Sequence, residues 1–170
     1  MPHATLFTRL VLPATLLLCS AAALGADLVS ESRYASLAVR GSAVDLGQAG
    51  SFNQARLDQS GASQAIWQRQ AGSANAANLN QAGANSVIAA SQQGLNNSLA
   101  VTQAGRYNQA AIAQVGTANA ATVVQNGSYN QAFVGQYGSG NQASVTQNGF
   151  GGRVTVTQWG NHGSATVKQQ

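Results

Sequence analysis

The side chains that this sequence sets at fixed spacing are amides. General acid–base catalysis and glycoside hydrolysis need paired carboxylates or a nucleophile beside its base, and no acidic residue follows Asp58. This argues against an enzyme. Glutamine instead recurs at Gln48, Gln59, Gln70, Gln81, Gln92, Gln103, Gln114, Gln125, Gln136, Gln147, Gln158 and Gln169, each eleven residues after the last. Asparagine keeps its own register at Asn53, Asn75, Asn97, Asn108, Asn119, Asn130 and Asn141. A primary amide both donates and accepts, so identical amides stacked one above another can bond in a ladder. That chemistry is self-association and calls for no cofactor. His162 reads as an exposed turn residue, because no cysteine or second histidine lies near it in the repeats to complete a metal site.

The segment that positions these amides runs from Gly50 to Gln170 and divides into eleven units of eleven residues. Each unit opens with glycine: Gly50, Gly61, Gly72, Gly83, Gly94, Gly105, Gly116, Gly127, Gly138, Gly149 and Gly160. A fixed period of this kind marks units that bury their apolar face only against one another. Place six is apolar in every unit, from Ala55 to Ala165, and place eight in every unit except the one carrying Gln68. Places four, six, eight and ten alternate, which predicts strands with those places on one face. The charged residues of the array (Arg56, Asp58, Arg69, Arg106, Arg153 and Lys168) all avoid that face. The remaining x-G-x-x is expected to form the turn, with glycine supplying positive φ or a close backbone approach.

A face that mixes apolar and amide side chains in every unit needs an opposing face of the same kind. This favours arches between two facing sheets over hairpins within one. Residues 105–115 also resemble residues 127–137, 22 positions later. The predicted fold is therefore all-β: a two-sheet parallel β-solenoid, a β-arch stack of cross-β type, with about six coils of 22 residues. At about 4.8 Å per coil the stack is ~29 Å long. Facing strands run antiparallel, with small residues at place six against larger ones at place eight. Gln64, Gln68, Ser86 and Ala90 weaken individual units, and Gly152 and Gly163 interrupt the asparagines at the end. Units 94–148 are expected to assemble most strongly, and the last coil, 149–170, to anchor or dock.

Ahead of the array, residues 1–26 read as a secretion signal: Arg9, an apolar run from Leu10 to Leu18, then small residues. Cleavage is expected after Ala26 or, second, after Ala23, and either removes Cys19. Residues 27–38 form a leader without the repeat, and 39–49 a degenerate unit with Ser42, Val44, Leu46 and Gln48 in register. Only 7% of residues are charged, against about 25% in ordinary domains. The net charge of +4 is scattered singly and forms no stripe, which argues against nucleic acid as a specific partner. An ice-binding solenoid would repeat threonine at fixed outward places in every unit; Thr102, Thr122, Thr146, Thr155, Thr157 and Thr166 alternate between places seven and nine and are absent from the early units.

The units resemble the curlins, subunits of the extracellular amyloid fibres called curli. The family pattern Q-x-G-x-x-N-x-A-x-x-x-Q stands here from Gln48 to Gln59 and again from Gln103 through Gln114, Gln125 and Gln136 to Gln147. The resemblance implies a structural subunit that is exported through an outer-membrane pore with accessory proteins and held at the outer cell surface. The leader DLVSESRYASLAV is similar to the start of the minor curlin, which nucleates polymerisation of the major one. Arg153 and Lys168 in the last coil are similar to that subunit's basic end and are candidates for anchoring or docking. Trp159-Gly160-Asn161-His162-Gly163 departs from both subunits. The alternative is the major curlin, which forms the fibre shaft; a more distant one is a solenoid that does not template.

Overall fold

The computed structural model describes residues 41–170. The expected signal, the leader and the first two residues of the degenerate unit lie outside the described residues. Twelve strands follow in order: β1 (Ala43–Ser51), β2 (Gln54–Ala62), β3 (Ala65–Ser73), β4 (Ala76–Ala84), β5 (Val87–Leu95), β6 (Ser98–Arg106), β7 (Gln109–Thr117), β8 (Ala120–Ser128), β9 (Gln131–Ser139), β10 (Gln142–Phe150), β11 (Arg153–Asn161) and β12 (Ser164–Gln169). Odd-numbered strands form one six-stranded sheet and even-numbered strands the other. Every pair is parallel and offset by 22 residues, so that Ala77 lies beside Leu99 and Ile112 beside Val134. One coil is therefore two units, and the chain is the predicted two-sheet solenoid.

The dry core is a single seam between the sheets. Its members, from Ile66, Ala77, Leu79 and Ile88 to Val154 and Val156, all come from places six and eight. Val44, Leu57, Ala165 and Val167 pack against it half-buried, because they belong to the end coils and lack a neighbour on one side. Arg56, Arg69, Arg153 and Lys168 stand on the outer faces.

The turn differs from the expectation. Strands β1 to β11 run nine residues, from place five to place two of the following unit, so only places three and four are left for the reversal. The glycines at Gly50, Gly61 and their equivalents sit near the strand ends, inside the hydrogen-bonded ladder. Gly116 shows why they are glycines. Its φ is +122°, and a Cβ there would stand 2.0 Å from the carbonyl oxygen of Gly138 in the next coil.

The left-handed residue of the reversal is at place three: Phe52, Ser63, Ala74, Asn85, Asn96, Tyr107, Ala118, Tyr129 and His162 have φ between 54° and 61°. Such a conformation costs on the order of 1–3 kcal/mol in a non-glycine residue. It persists because the reversal's backbone groups are paired between coils. Ala118 N–H donates to Leu95 O at 2.9 Å, and Ala120 N–H donates to Asn141 O at 2.8 Å. Backbone groups inside an arch would otherwise lack partners.

Candidate functional site: amide ladders and open ends

Place ten points into the seam, and stacking at 22 residues puts each glutamine directly beside the next. In the odd sheet, Nε2 of Gln48, Gln70, Gln92, Gln114 and Gln136 donates to Oε1 of the glutamine one coil on, ending at Gln158, over 2.6–2.9 Å. The even sheet repeats this from Gln59 through Gln81, Gln103, Gln125 and Gln147 to Gln169, over 2.6–3.1 Å. All these bonds point the same way, so the ladders have a direction. A second N–H ties the two sheets together: Gln114 Nε2 donates to Ser98 O, at place five of the preceding strand, at 2.9 Å. Gln70, Gln81, Gln92, Gln103, Gln114, Gln125, Gln136 and Gln147 are buried, and the end rungs Gln48, Gln59, Gln158 and Gln169 half-buried.

Place four closes the rims as two columns. One carries Asn53, Asn75, Asn97, Asn119 and Asn141, and then Gly163; the other carries Ser42, Gln64, Ser86, Asn108 and Asn130, and then Gly152. The asparagines serve the backbone as much as one another. Asn97 Oδ1 accepts from the backbone N–H of Asn119 at 3.1 Å and from its Nδ2 at 3.2 Å. Asn97 Nδ2 in turn donates to the carbonyl of Gly116 at 3.0 Å. In the second column Ser86 Oγ accepts from Asn108 N–H at 3.2 Å, and Asn108 Oδ1 from Asn130 N–H at 3.1 Å.

The weak units show as specific faults. Gln64 is one methylene too long for the column: its Nε2 donates to Ser60 O at 2.9 Å, but its buried Oε1 has no partner. Gln68 sits fully buried at place eight, also with an unpartnered Oε1. Both faults lie in the unit 61–71, Gln64 in the reversal before β3 and Gln68 within β3. Arg153 and Lys168 are exposed on the last coil, with the Arg153 guanidinium 5.7 Å from the centre of the Phe133 ring. The Arg56 guanidinium is held above its ordinary pKa by its hydrogen bond to Asp58 at 2.8 Å. That exposed pair adds little stability.

Two aromatic stacks went unread in the sequence. Tyr107 and Tyr129 stack at 4.8 Å and 15°, and Phe150 continues the row at 5.1 Å. Tyr137 and Trp159 stack at 4.2 Å. The signal was present, since Tyr107 and Tyr129, and likewise Tyr137 and Trp159, are separated by the 22 residues of one coil.

The arrangement defines a class: a directional, amide-laddered parallel β-solenoid whose first and last described coils have strand edges with no partner among the described residues, a geometry on which further strands can stack. A family model described as the curlin associated repeat matches residues 94–123 and 116–149. Residues 94–149 thus carry the curlin repeat, and over that stretch the chain is similar to the curlins. No curated protein and no solved structure matches it.

Proposed function

We propose that the chain is the minor, nucleating curlin: it starts polymerisation of the major curlin at the cell surface, and so supports adhesion and the biofilm matrix. The observation that carries this reading is the contrast between its middle and its ends. Coils built from Leu95 to Asn148 have complete glutamine ladders and a filled seam, whereas the unit 61–71 carries two orphaned amide oxygens and the last coil has glycine at both place-four positions. A shaft subunit must stack on itself repeatedly and would carry the glycine-bearing face at every joint and the orphaned amides in every copy. A nucleator carries them once per fibre. The minor-curlin-like leader and the exposed Arg153 and Lys168 support the same reading, with the basic coil as the anchoring or docking end. Its partners are then the major curlin, the export pore with its accessory proteins, and the outer cell surface.

The test is seeding. Folded chain at substoichiometric amounts should shorten the lag of a major curlin followed by thioflavin fluorescence, and deleting its gene should leave soluble major subunit outside the cell. Loss of all fibre material on deletion would instead assign it to the shaft. A chain that stays monomeric and leaves the lag unchanged would remove the templating role altogether.

A further inference from the structure

The two ends of the solenoid differ in what they offer a partner, and the difference lies at place four. Within the stack, the place-four side chain of one coil, Gln64 excepted, accepts the backbone N–H of place four in the next, as Asn119 does for Asn141 at 3.0 Å. The last such acceptors are Asn130 and Asn141, which take the N–H groups of Gly152 at 3.0 Å and Gly163 at 2.9 Å. Both glycines receive a bond and have no side chain with which to pass one on. At the opposite end, the N–H groups of Ser42 and Asn53 meet no acceptor among the described residues, and Oε1 of Gln48 and Gln59 meets no donor there.

From this geometry we infer that the N-terminal coil is the recruiting face, and that it takes a repeat protein whose final coil carries asparagine at both place-four positions and glutamine at both place-ten positions. Such a coil supplies two Oδ1 acceptors and two Nε2 donors in the register that this end requires. The chain's own last coil supplies only the glutamine half, so end-to-end stacking with itself leaves the Ser42 and Asn53 N–H groups unserved at every joint. The inference rests on the fibre-subunit reading and adds a direction to it: heterologous growth from the N-terminal end, and weak self-polymerisation.

The test changes the deficient face. Neither Gly152 nor Gly163 has positive φ, and the atoms nearest an added Cβ are side-chain ends, Gln169 Oε1 at 2.7 Å and Asn141 Oδ1 at 3.0 Å respectively. The chain from Asp27 to Gln170 is compared with its G152N/G163N, G152S/G163S and G152A/G163A variants for critical concentration and for elongation from its own seeds. G152N/G163N should lower the critical concentration by at least about tenfold, the worth of two modest hydrogen bonds per joint. G152S/G163S should fall between, since Ser86 Oγ already fills this role, and G152A/G163A should not improve on the parent. Equal values for parent, asparagine and serine variants overturn the inference, and so does an alanine variant as good as asparagine. If none of the four forms fibres, the fibre-subunit reading itself falls.

Discussion

Replacing Gln114 by alanine removes one rung from the middle of a ladder. Three hydrogen bonds go: the one accepted from Gln92 Nε2 at 2.9 Å, and those donated to Gln136 Oε1 and Ser98 O, both at 2.9 Å. Gln92 keeps its bond to Ala76 O, but one of its N–H groups and the Gln136 oxygen lose their ladder partners where water does not reach. At about 1–3 kcal/mol for each buried group left unsatisfied, the loss is about 2–6 kcal/mol. That is roughly thirtyfold or more in an equilibrium constant. Tyr107→Ala is the comparator. Tyr107 is an exposed place-three side chain whose main contact is the stack on Tyr129, and its loss costs about 0.5–1.5 kcal/mol. Guanidinium dissociation of assembled material, with the thioflavin lag alongside, should show a large fall in midpoint for Gln114→Ala and a small one for Tyr107→Ala. Equal effects, or a Gln114→Ala midpoint indistinguishable from the parent, would refute the claim that the glutamines bond to one another inside the seam.

Three further substitutions test individual features. Gln68→Leu should stabilise the first coils by about 1–3 kcal/mol, because Gln68 stacks between Leu46 and Ala90 in the core with an orphaned oxygen; a lower denaturation midpoint would contradict this. Gln64→Asn should bring an acceptor to the N–H of Ser86, as Asn108 does for Asn130, and stabilise by about 1 kcal/mol in the same assay. Gly116→Ala should cost at least about 3 kcal/mol or abolish assembly, since the new Cβ meets backbone that the ladder holds in place; near-normal stability would argue against the close glycine approach.

The alternation of places four, six, eight and ten carried most of the fold, because a period of two in strands and of 22 in coils leaves few ways to bury one face. Charge supplied an independent check, with every Arg, Asp and Lys of the array kept off the inward places. The phase of the turn was harder to read. Glycine suggests a reversal through its freedom at positive φ, yet Gly116 is fixed by its approach to Gly138 one coil away, a contact that no local pattern reveals. The true left-handed position, place three, did leave a trace: it holds Asn, Gly, His, Ser, Ala, Phe and Tyr and never Val, Ile or Thr, the residues least able to adopt that conformation. The separate fates of Gln64 and Gln68 depend on side-chain length against an ångström-scale column, which residue type alone does not express. The direction of the ladders, and with it the inequality of the ends, emerges only when donors and acceptors are followed coil by coil.

The most direct measurement is solid-state NMR of assembled chain with labelled glutamine side chains. Magnetisation should pass between the amides of Gln92, Gln114 and Gln136, 22 residues apart, and those N–H groups should exchange slowly with solvent. Contacts between glutamines eleven residues apart, as neighbouring hairpin strands would give, or exchange at the rate of a free amide, would contradict the laddered solenoid.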